Sequence, residues 1–272
     1  MSRFPAIGHQ AQHPAYGILR RVTPVASVML ADNPSIMTLD GTNTWLLRAP
    51  DSVSCVVVDP GPLTEAHLTR IAACGPVATV VITHGHPDHA EGARRFAELV
   101  GAPTRAIDPD LCHGADPLSD GDTIAAAGLR LRVLATPGHT ADSLCLLLDH
   151  EGSSAILTGD SVLGRGTTVV AHPDGKLADY LTSLHRLADL PPGTVALPGH
   201  GPELPDAAET ARRYLTHREQ RLAQVRDAVE QLGGGATARQ VVEVVYADVD
   251  RSLWGAAEWS VEAQLEYLRT EG

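Results

Sequence analysis

Short runs of apolar and β-branched residues recur along the first two thirds of the chain. Each run is followed within three residues by Asp, Gly, Pro or His. Short apolar runs with such endings predict buried strands that deliver loops at the edge of a sheet. The predicted strands cover residues 55–58, 79–82, 131–134, 144–148, 155–157 and 194–197.

Between these runs, apolar residues recur at helical spacing. Predicted helices cover residues 65–74, 90–100 and 178–190. Gly101 and Pro191 follow two of these helices and are typical residues at or beyond a helix C-terminus. In the first helix, His67 falls on the polar face. The alternation of strands and helices, with a predicted pairing of 131–134 with 144–148, indicates a layered α/β fold with a mixed sheet.

The spacing of apolar residues changes near Pro205, and after it the spacing is helical. Three helices are predicted there, over residues 207–232, 238–246 and 254–270. A run of three glycines ends the first of them, and Thr237 is placed to cap the second. We therefore expect two domains, a main α/β domain over residues 1–204 and a small helical domain over residues 205–272.

The composition narrows the class of protein. A chain of 272 residues, 43% of them apolar, can bury a large core without disulfide bonds. The four cysteines are widely spaced and include no C-x-x-C pair, so we expect reduced thiols and a cytoplasmic location. No apolar run is long enough to cross a membrane, and residues 1–10 lack the apolar segment of a signal peptide. The net charge of −12 disfavours double-stranded DNA as a partner.

One loop concentrates residues that bind metal ions. The chain reads Thr-His-Gly-His-Pro-Asp-His from Thr83 to His89, directly after a predicted strand. Imidazole and carboxylate groups are common ligands of Zn²⁺ in proteins. Three further strand-end loops each add one such side chain next to a glycine, namely His139, Asp160 and His200. Five histidines and two aspartates on four loops predict a site for two metal ions.

This arrangement, His-x-His-x-Asp-His followed by separate His, Asp and His loops, resembles the metallo-β-lactamase superfamily. The resemblance implies an αββα sandwich and two zinc ions per chain, with manganese or iron as alternatives. It implies that the first zinc is held by His84, His86 and His139, the second by Asp88, His89 and His200, and that Asp160 bridges both. Asp59, in an Asp-Pro-Gly turn, matches an acidic position that supports the ligands.

A closer resemblance rests on motifs that occur in order between residues 25 and 270. They are Asn33-Pro34, Met-Thr-Leu-Asp-Gly-Thr-Asn-Thr at 37–44, Asp120-Gly121-Asp122, Gly-Arg-Gly-Thr-Thr at 164–168, Tyr-Leu-x-Ser-Leu at 180–184, Pro-Gly-His-Gly-Pro at 198–202 and His217-Arg218. The series is similar to the beta-lactamase-like protein 2 family, close to the glyoxalase II branch, whose members carry a small winged-helix-like C-terminal domain. Thr167, Thr168 and the nearby His172 are then candidate contacts to the ligands or to substrate. Residues 169–172 read Val-Val-Ala-His where animal members have acidic and aromatic residues, so substrate contacts there need not carry over.

The resemblance implies a hydrolase in which a hydroxide that bridges the two zinc ions attacks a carbonyl or phosphorus atom. Asp88 would be the catalytic residue, because a carboxylate on the second metal can orient the hydroxide and relay its proton. Asp160 stands where true metallo-β-lactamases usually have Cys or Ser, which argues against β-lactam hydrolysis as the main activity.

Two substrate classes stay open. Animal members of the family imply an endoribonuclease on single-stranded RNA, for which arginines on the helix over 207–232 are candidate phosphate contacts: Arg212, Arg213, Arg218, Arg221 and Arg226. The eight arginines and twelve acidic residues of 205–272 weigh against RNA. The alternative is a glyoxalase-II-like hydrolase of a small ester or thioester. A metal-binding scaffold without catalysis ranks lower, because so many titratable ligands are costly to bury without metal. We expect the C-terminal domain to cap the active-site groove or to form a homodimer, and we expect no membrane partner.

Overall fold

Two β-sheets pack face to face in the computed structural model, which describes residues 15–271. Residues 1–14 and residue 272 lie outside the described part. The prediction that residues 1–10 are not a signal peptide therefore concerns residues outside the described part. The first sheet has six strands in the order β1 (Leu19–Arg21), β2 (Ala26–Leu30), β3 (Asn43–Leu47), β4 (Cys55–Val58), β5 (Val77–Val81) and β6 (Thr104–Arg105). The second has five, in the order β11 (Val195–Pro198), β10 (Ser153–Gly159), β9 (Leu144–His150), β8 (Leu129–Ala135) and β7 (Thr123–Ala126).

Both sheets are mixed, as expected. In the first sheet, β1 to β4 are antiparallel and β4 to β6 are parallel. In the second, β7 to β10 are antiparallel and β11 is parallel to β10. The expected pairing of β8 with β9 is confirmed, with Leu131 opposite Leu148. All of the predicted strands are present. The apolar pattern does not predict β1, β2, β3, β6 or β7. Of these strands, β6 has only two residues, and β3 opens with the polar residues Asn43 and Thr44.

Strand β4 is apolar along its whole length because it is covered on both faces. In β4, Val56 and Val58 belong to the core between the two sheets, whereas Cys55 and Val57 belong to the core beneath the outer helices. A strand that is buried on both faces needs no alternation of polar residues. This accounts for the uninterrupted apolar runs of the sequence.

Helices cover the outer faces of both sheets, which completes the expected αββα sandwich. The first sheet packs against α1 (Glu65–Ala72) and α3 (Ala93–Val100), with α2 (Pro87–Ala90) between them in the chain. The second packs against α4 (Leu177–Ala188) and the first half of α5 (Ala207–Leu232). The helix expected over 90–100 begins only at Ala93, and Ala90 is the last residue of the separate short helix α2. The break falls where Gly92 passes so close to the carbonyl oxygens of Gly61 and Pro62 that an added Cβ would lie 2.9 Å from each.

The C-terminal part of the chain is helical, as expected, and has a small core of its own. That core is formed by α6 (Ala238–Val245), α7 (Trp254–Glu271) and the last half of α5. Thr237 caps α6 as expected: its side chain accepts a hydrogen bond from the backbone N–H of Gln240, and Oε1 of Gln240 accepts one from the backbone N–H of Thr237. The first half of α5 packs on the second sheet, so this helix belongs to two cores.

The four cysteines are free thiols, and two of them, Cys55 and Cys145, are buried. Burial raises the pKa of the Cys145 thiol to about 11, so at neutral pH it stays protonated and packs like a small apolar side chain. Over residues 15–271, no helix combines the length and the apolar character that a membrane crossing requires.

His67 is buried, although the helical pattern places it on the polar face of its helix. Its Nε2 lies 3.0 Å from Oγ1 of Thr44, and the backbone of Gly61 lies beside its ring. Burial, together with the nearby Arg70 charge, lowers the pKa of His67 from 6.5 to about 4. The folded protein therefore keeps this ring neutral at a pH where an exposed histidine is protonated.

This difference in pKa predicts a pH-dependent stability. Between about pH 4 and 6.5 the unfolded chain binds a proton at His67 that the folded protein does not, so the free energy of unfolding should fall as the pH is lowered through this window. In His67→Gln this contribution is absent. As the pH is lowered from about 7.5 to about 5, the free energy of unfolding of the wild-type protein should therefore fall relative to that of the variant. Urea unfolding of both proteins with a chelator present measures this, and a pH-independent difference would contradict it.

Candidate metal centre

The ligand residues expected from the sequence come together at one end of the sandwich. The loop after β5 carries the stretch from His84 to His89, and the loops after β8, β10 and β11 carry His139, Asp160 and His200. Three groups of side chains have their ligand atoms within 4.8 Å of one another: His84, His86 and His139; Asp88, His89 and His200; and His84, His89 and Asp160. Since the groups share members, all seven residues lie in one cluster.

In the first group, three imidazole nitrogens face each other. Nε2 of His84 lies 3.1 Å from Nδ1 of His86, and Nε2 of His139 lies 3.0 Å from the same atom. The Nδ1 atoms of His84 and His139 point elsewhere, to Oγ1 of Thr83 at 3.1 Å and to the carbonyl oxygen of Val169 at 2.6 Å. His86 therefore presents Nδ1 to the centre, and the other two rings present Nε2.

In the second group, a carboxylate meets two imidazole rings. Oδ2 of Asp88 lies 3.2 Å from Nε2 of His89 and 3.2 Å from Nε2 of His200. The two ring nitrogens are themselves 3.2 Å apart. Nδ1 of His200 donates to the carbonyl oxygen of Gly41 at 3.1 Å, and Oγ1 of Thr42 donates to Oδ2 of Asp88 at 3.0 Å.

Asp160 lies between the two groups. Its Oδ2 is 3.3 Å from Nε2 of His200 and 3.7 Å from Nε2 of His139. Its Oδ1 is 3.5 Å from Nε2 of His89, yet it is buried and has no hydrogen-bond partner. One carboxylate thus approaches histidines of both groups, which is the position that a bridging ligand requires.

Asp59, to which the resemblance assigns a supporting position, contacts the loop that carries the cluster and one of its histidines. Its Oδ1 accepts a hydrogen bond from the backbone N–H of Thr83 at 2.8 Å. Its Oδ2 accepts from the Thr83 hydroxyl at 2.7 Å and from Nδ1 of His89 at 2.9 Å. The residue is 1% exposed and has a left-handed backbone with φ 52°, which aspartate tolerates better than most residues. One carboxylate therefore orients both the loop that carries the ligands and one of the ligands themselves.

The donor atoms of the cluster fit two metal ions. A neutral imidazole has one N–H, and in His89 and His200 that N–H is already directed to Asp59 and to the Gly41 carbonyl. When both rings are neutral, their Nε2 lone pairs face one another in a buried site, which is the arrangement that a cation between them stabilises. The unpartnered Oδ1 of Asp160 points to the same need. Imidazole and carboxylate donors suit zinc and iron alike, so the donor set does not select between them.

Protonation differs between the two groups. Burial lowers the pKa of His84 well below its ordinary value and lowers that of His139 to about 4. Burial also disfavours the charged forms of His89 and His200, but the neighbouring carboxylates, Asp160 above all, outweigh it. The pKa of His89 therefore lies well above its ordinary value, and that of His200 rises to about 9. A metal ion that binds the second group has to displace protons from these rings.

The other residues singled out in the sequence have different surroundings. Thr168 is buried, with its Oγ1 3.2 Å from Nδ1 of His139, whereas Thr167 is exposed. His172 lies 3.1 Å from a carboxylate oxygen of Glu266 and 3.5 Å from one of Glu262, both on α7. The structure thus joins His172 to the C-terminal helices and Thr168 to the ligand cluster.

Several residues that hold the centre were not assigned a role from the sequence. Gly41 and Val169 act through backbone carbonyl oxygens, which residue type does not reveal. Thr42 contacts Asp88 and lies in the motif at 37–44, so its place in that motif was the available signal. Gly199 leaves room for the ligands, because an added Cβ would lie 2.6 Å from Oδ1 of Asp160 and 2.7 Å from Cε1 of His89.

Comparison with known families matches both parts of the chain. The family described as "Metallo-beta-lactamase superfamily" matches residues 37–200, and the family described as "Beta-lactamase associated winged helix domain" matches residues 237–272. The beta-lactamase-like protein 2 homolog of Drosophila melanogaster is 32% identical over 93% of this chain and 90% of its own length. The chain is thus similar to this relative across both matched regions.

Solved structures agree with the fold. The metallo-beta-lactamase family protein TTHA1429 from Thermus thermophilus superposes with a TM-score of 0.76 and 26% identity, over 92% of this chain and 95% of that one. TTHA1623 in a di-iron-bound form superposes with a TM-score of 0.53 and 25% identity, over 69% of this chain and 96% of that one. The second of these neighbours holds two metal ions.

The space beside Gly199 yields a test of the centre. In Gly199→Ala, Asp160 and His89 must shift away from the added methyl group, so metal affinity should fall about tenfold or more. Gly234→Ala is the matched control, because nothing lies within 4 Å of an added Cβ there. Competition with a chromophoric chelator measures both affinities. Unchanged metal affinity in Gly199→Ala would show that these ligands do not form the metal site.

Proposed function

Because the chain belongs to the metallo-beta-lactamase superfamily, we propose that it is a metal-dependent hydrolase with a dinuclear centre. The observation that carries the proposal is the convergence of buried imidazole lone pairs and carboxylates. The residues proposed for the first metal are His84, His86 and His139, those for the second are Asp88, His89 and His200, and Asp160 lies between them. Metal ions bound there would supply Lewis acidity and a water nucleophile at neutral pH. We propose zinc as the metal, and the di-iron form of TTHA1623 makes iron the first alternative.

Asp88 is the residue best placed to handle the proton of the nucleophile. Its side chain is 25% exposed, whereas the ligand histidines around it are nearly inaccessible. Thr42, His89 and His200 all contact its Oδ2, and none of these contacts uses Oδ1. Burial alone would raise the pKa of Asp88, but His89 and His200 hold it far below its usual range. Asp88 is thus ionised at neutral pH, with one oxygen free of these contacts to orient water.

The arginines of α5 bear on the choice of substrate. Arg218, expected as a phosphate contact, is 5% exposed and donates to the carbonyl oxygen of Thr168, so that expectation is wrong for this residue. Arg212 donates to the carbonyl oxygen of Ala188 at 2.6 Å, and Arg221 to that of Val245 at 2.9 Å. Of these three arginines, Arg218 is buried, Arg221 is half-buried and Arg212 is exposed. The burial of Arg218 removes one candidate phosphate contact and so weakens the case for a polyanionic substrate.

The surroundings of the centre favour a small ester or thioester. Arg165, in the loop after β10, is paired with Asp40. The loops that contact Asp88 and His89 carry exposed apolar side chains, Ile36, Met37 and Leu63. A neutral acyl group suits apolar neighbours and paired charges better than a phosphate chain does. We therefore propose a small-molecule ester or thioester as the substrate class, and Asp160 in place of Cys or Ser argues against β-lactams.

Single-stranded RNA is the second candidate. It is supported by the similarity to a beta-lactamase-like protein 2 homolog over nearly the whole chain. Arg212, Arg213 and Arg226 are exposed on α5 and are the candidate phosphate contacts that remain.

The proposed role of Asp88 is tested by Asp88→Asn. The variant keeps the shape of the side chain but loses its charge, so kcat should fall by about 10²–10⁴-fold while the first metal group stays occupied. Metal analysis and hydrolysis of a nitrophenyl ester by the same preparations provide the two readouts. Asp179→Asn, an exposed residue of α4, is the control and should behave as wild type. Wild-type protein without bound metal, or full activity in Asp88→Asn, would refute the proposal.

The substrate class is tested by offering acyl thioesters, including S-lactoylglutathione, and labelled single-stranded RNA to the same zinc- or manganese-loaded enzyme. We expect thioester hydrolysis that changes little with salt and with Arg213→Glu. RNA cleavage should instead fall steeply with salt, and Arg213→Glu should raise its KM. Asp88→Asn must abolish whichever activity is found, which excludes a contaminating nuclease. RNA cleavage of this kind without thioester hydrolysis would reverse the ranking.

A further inference from the structure

The C-terminal helices hold the loop of residues 163–172, which we call the tether loop. From α5, Oη of Tyr214 accepts a hydrogen bond from the backbone N–H of Leu163 at 3.2 Å and donates to the carbonyl oxygen of Gly166 at 2.9 Å. One helical turn later, Arg218 donates to the carbonyl oxygen of Thr168. The tether loop is thus fixed to α5 at three of its residues.

The other C-terminal helix continues these contacts along the tether loop. From α7, Oγ of the buried Ser260 accepts a hydrogen bond from the backbone N–H of Val170 at 3.4 Å. Glu266 lies 3.1 Å from Nε2 of His172, at the end of the same loop. Residues from Leu163 to His172 are therefore held by side chains of two C-terminal helices, α5 and α7.

The tether loop in turn contacts a metal-centre histidine. The carbonyl oxygen of Val169 accepts the N–H of His139 Nδ1 at 2.6 Å, and Oγ1 of Thr168 lies 3.2 Å from the same nitrogen. These contacts decide which ring nitrogen of His139 carries the proton and where Nε2 points. Any displacement of residues 168 and 169 therefore turns His139 relative to His86.

Arg218 is the unusual member of this set of contacts. It is 5% exposed, and within the described residues its guanidinium makes no ion pair with an acidic side chain. Its Nε has no hydrogen-bond partner, and its guanidinium lies 5.2 Å from the centre of the Tyr180 ring. Tyr180 donates to the carbonyl oxygen of Ser161, which follows Asp160 in the chain. A buried cation without a carboxylate is costly, and this one contacts the tether loop, which holds His139, and Tyr180, which holds the residue next to Asp160.

We propose that Arg218 is a positioning residue through which the C-terminal helices set the metal affinity of the group His84, His86 and His139. It fixes the Thr168 carbonyl, and thereby the Val169 carbonyl that orients His139. The C-terminal helices then form part of the metal centre, although they contribute none of its proposed ligands. This inference rests on the proposed function, because it requires that the cluster binds metal.

The test compares Arg218→Met, which keeps the volume but loses the donor and the charge, with Arg218→Lys and Arg226→Met. Arg226 is the matched control, because it is exposed on the same helix. In Arg218→Met, one of two metal ions should bind about 10–100-fold more weakly in competition with a chromophoric chelator, and the other should be unaffected. The spectrum of the cobalt-substituted protein should change with it. Arg218→Lys should restore part of the affinity, and Arg226→Met should match wild type.

A second readout needs no metal. In the metal-free protein, backbone amides of the tether loop around Val170 should exchange hydrogen faster in Arg218→Met than in wild type, while amides of β9 should not change. If Arg218→Met fails to fold, Ser260→Ala removes a neighbouring contact without disturbing a charge, and it should shift both measurements in the same direction by a smaller factor. Folded variants with wild-type metal binding and wild-type exchange would overturn the inference and leave the proposed function intact. A wild-type protein that binds no metal would refute both.

Discussion

Four imidazoles of the cluster are buried, those of His84, His89, His139 and His200, and each can direct a lone pair to the centre only if its other nitrogen finds a partner elsewhere. That requirement places Asp59, Thr83 and the carbonyl oxygens of Gly41 and Val169 around the ligands. These partners come from four separate segments of the chain, so the cluster forms only when the sandwich has brought the segments together. The two packed sheets therefore hold in place the segments that orient the histidine rings of the cluster.

Asp59 carries a large share of this requirement. A left-handed backbone at a non-glycine residue costs on the order of 1 kcal/mol, and a buried carboxylate costs more unless it is fully hydrogen-bonded. Both costs are offset by the three hydrogen bonds that it accepts from Thr83 and His89. The turn after β4 thus stores strain at the point where the ligand loop is anchored.

The C-terminal helices share a hydrophobic core with the sandwich as well as forming one of their own. The first half of α5 shares a core with α4 and the second sheet, and its last half forms another core with α6 and α7. Buried side chains of α5 and α7, among them Tyr214, Arg218 and Ser260, reach the loop that orients His139. Substitutions in this part of the chain can therefore act on the metal centre without touching a ligand.

Much of this protein could be predicted from its sequence. The strands buried on both faces appear as plain apolar runs, and α5 has the bounds that its pattern predicts. The cluster of candidate ligands could be predicted because imidazole and carboxylate side chains follow strands whose ends meet at one edge. Both edge strands of the first sheet could not be predicted, because β1 is exposed and β6 is too short to form an apolar run.

The sequence by itself determined which side chains are able to bind metal, since that ability lies in the residue types and their spacing. The tertiary structure decided which atoms of those side chains face the centre, because the choice depends on partners brought from distant segments. It also decided the surroundings of His67 and Arg218, which their helical patterns do not place in the interior. Periodicity describes the faces of a helix, but what covers a face is set by elements elsewhere in the chain, and carbonyl acceptors such as that of Val169 leave no signal in residue type.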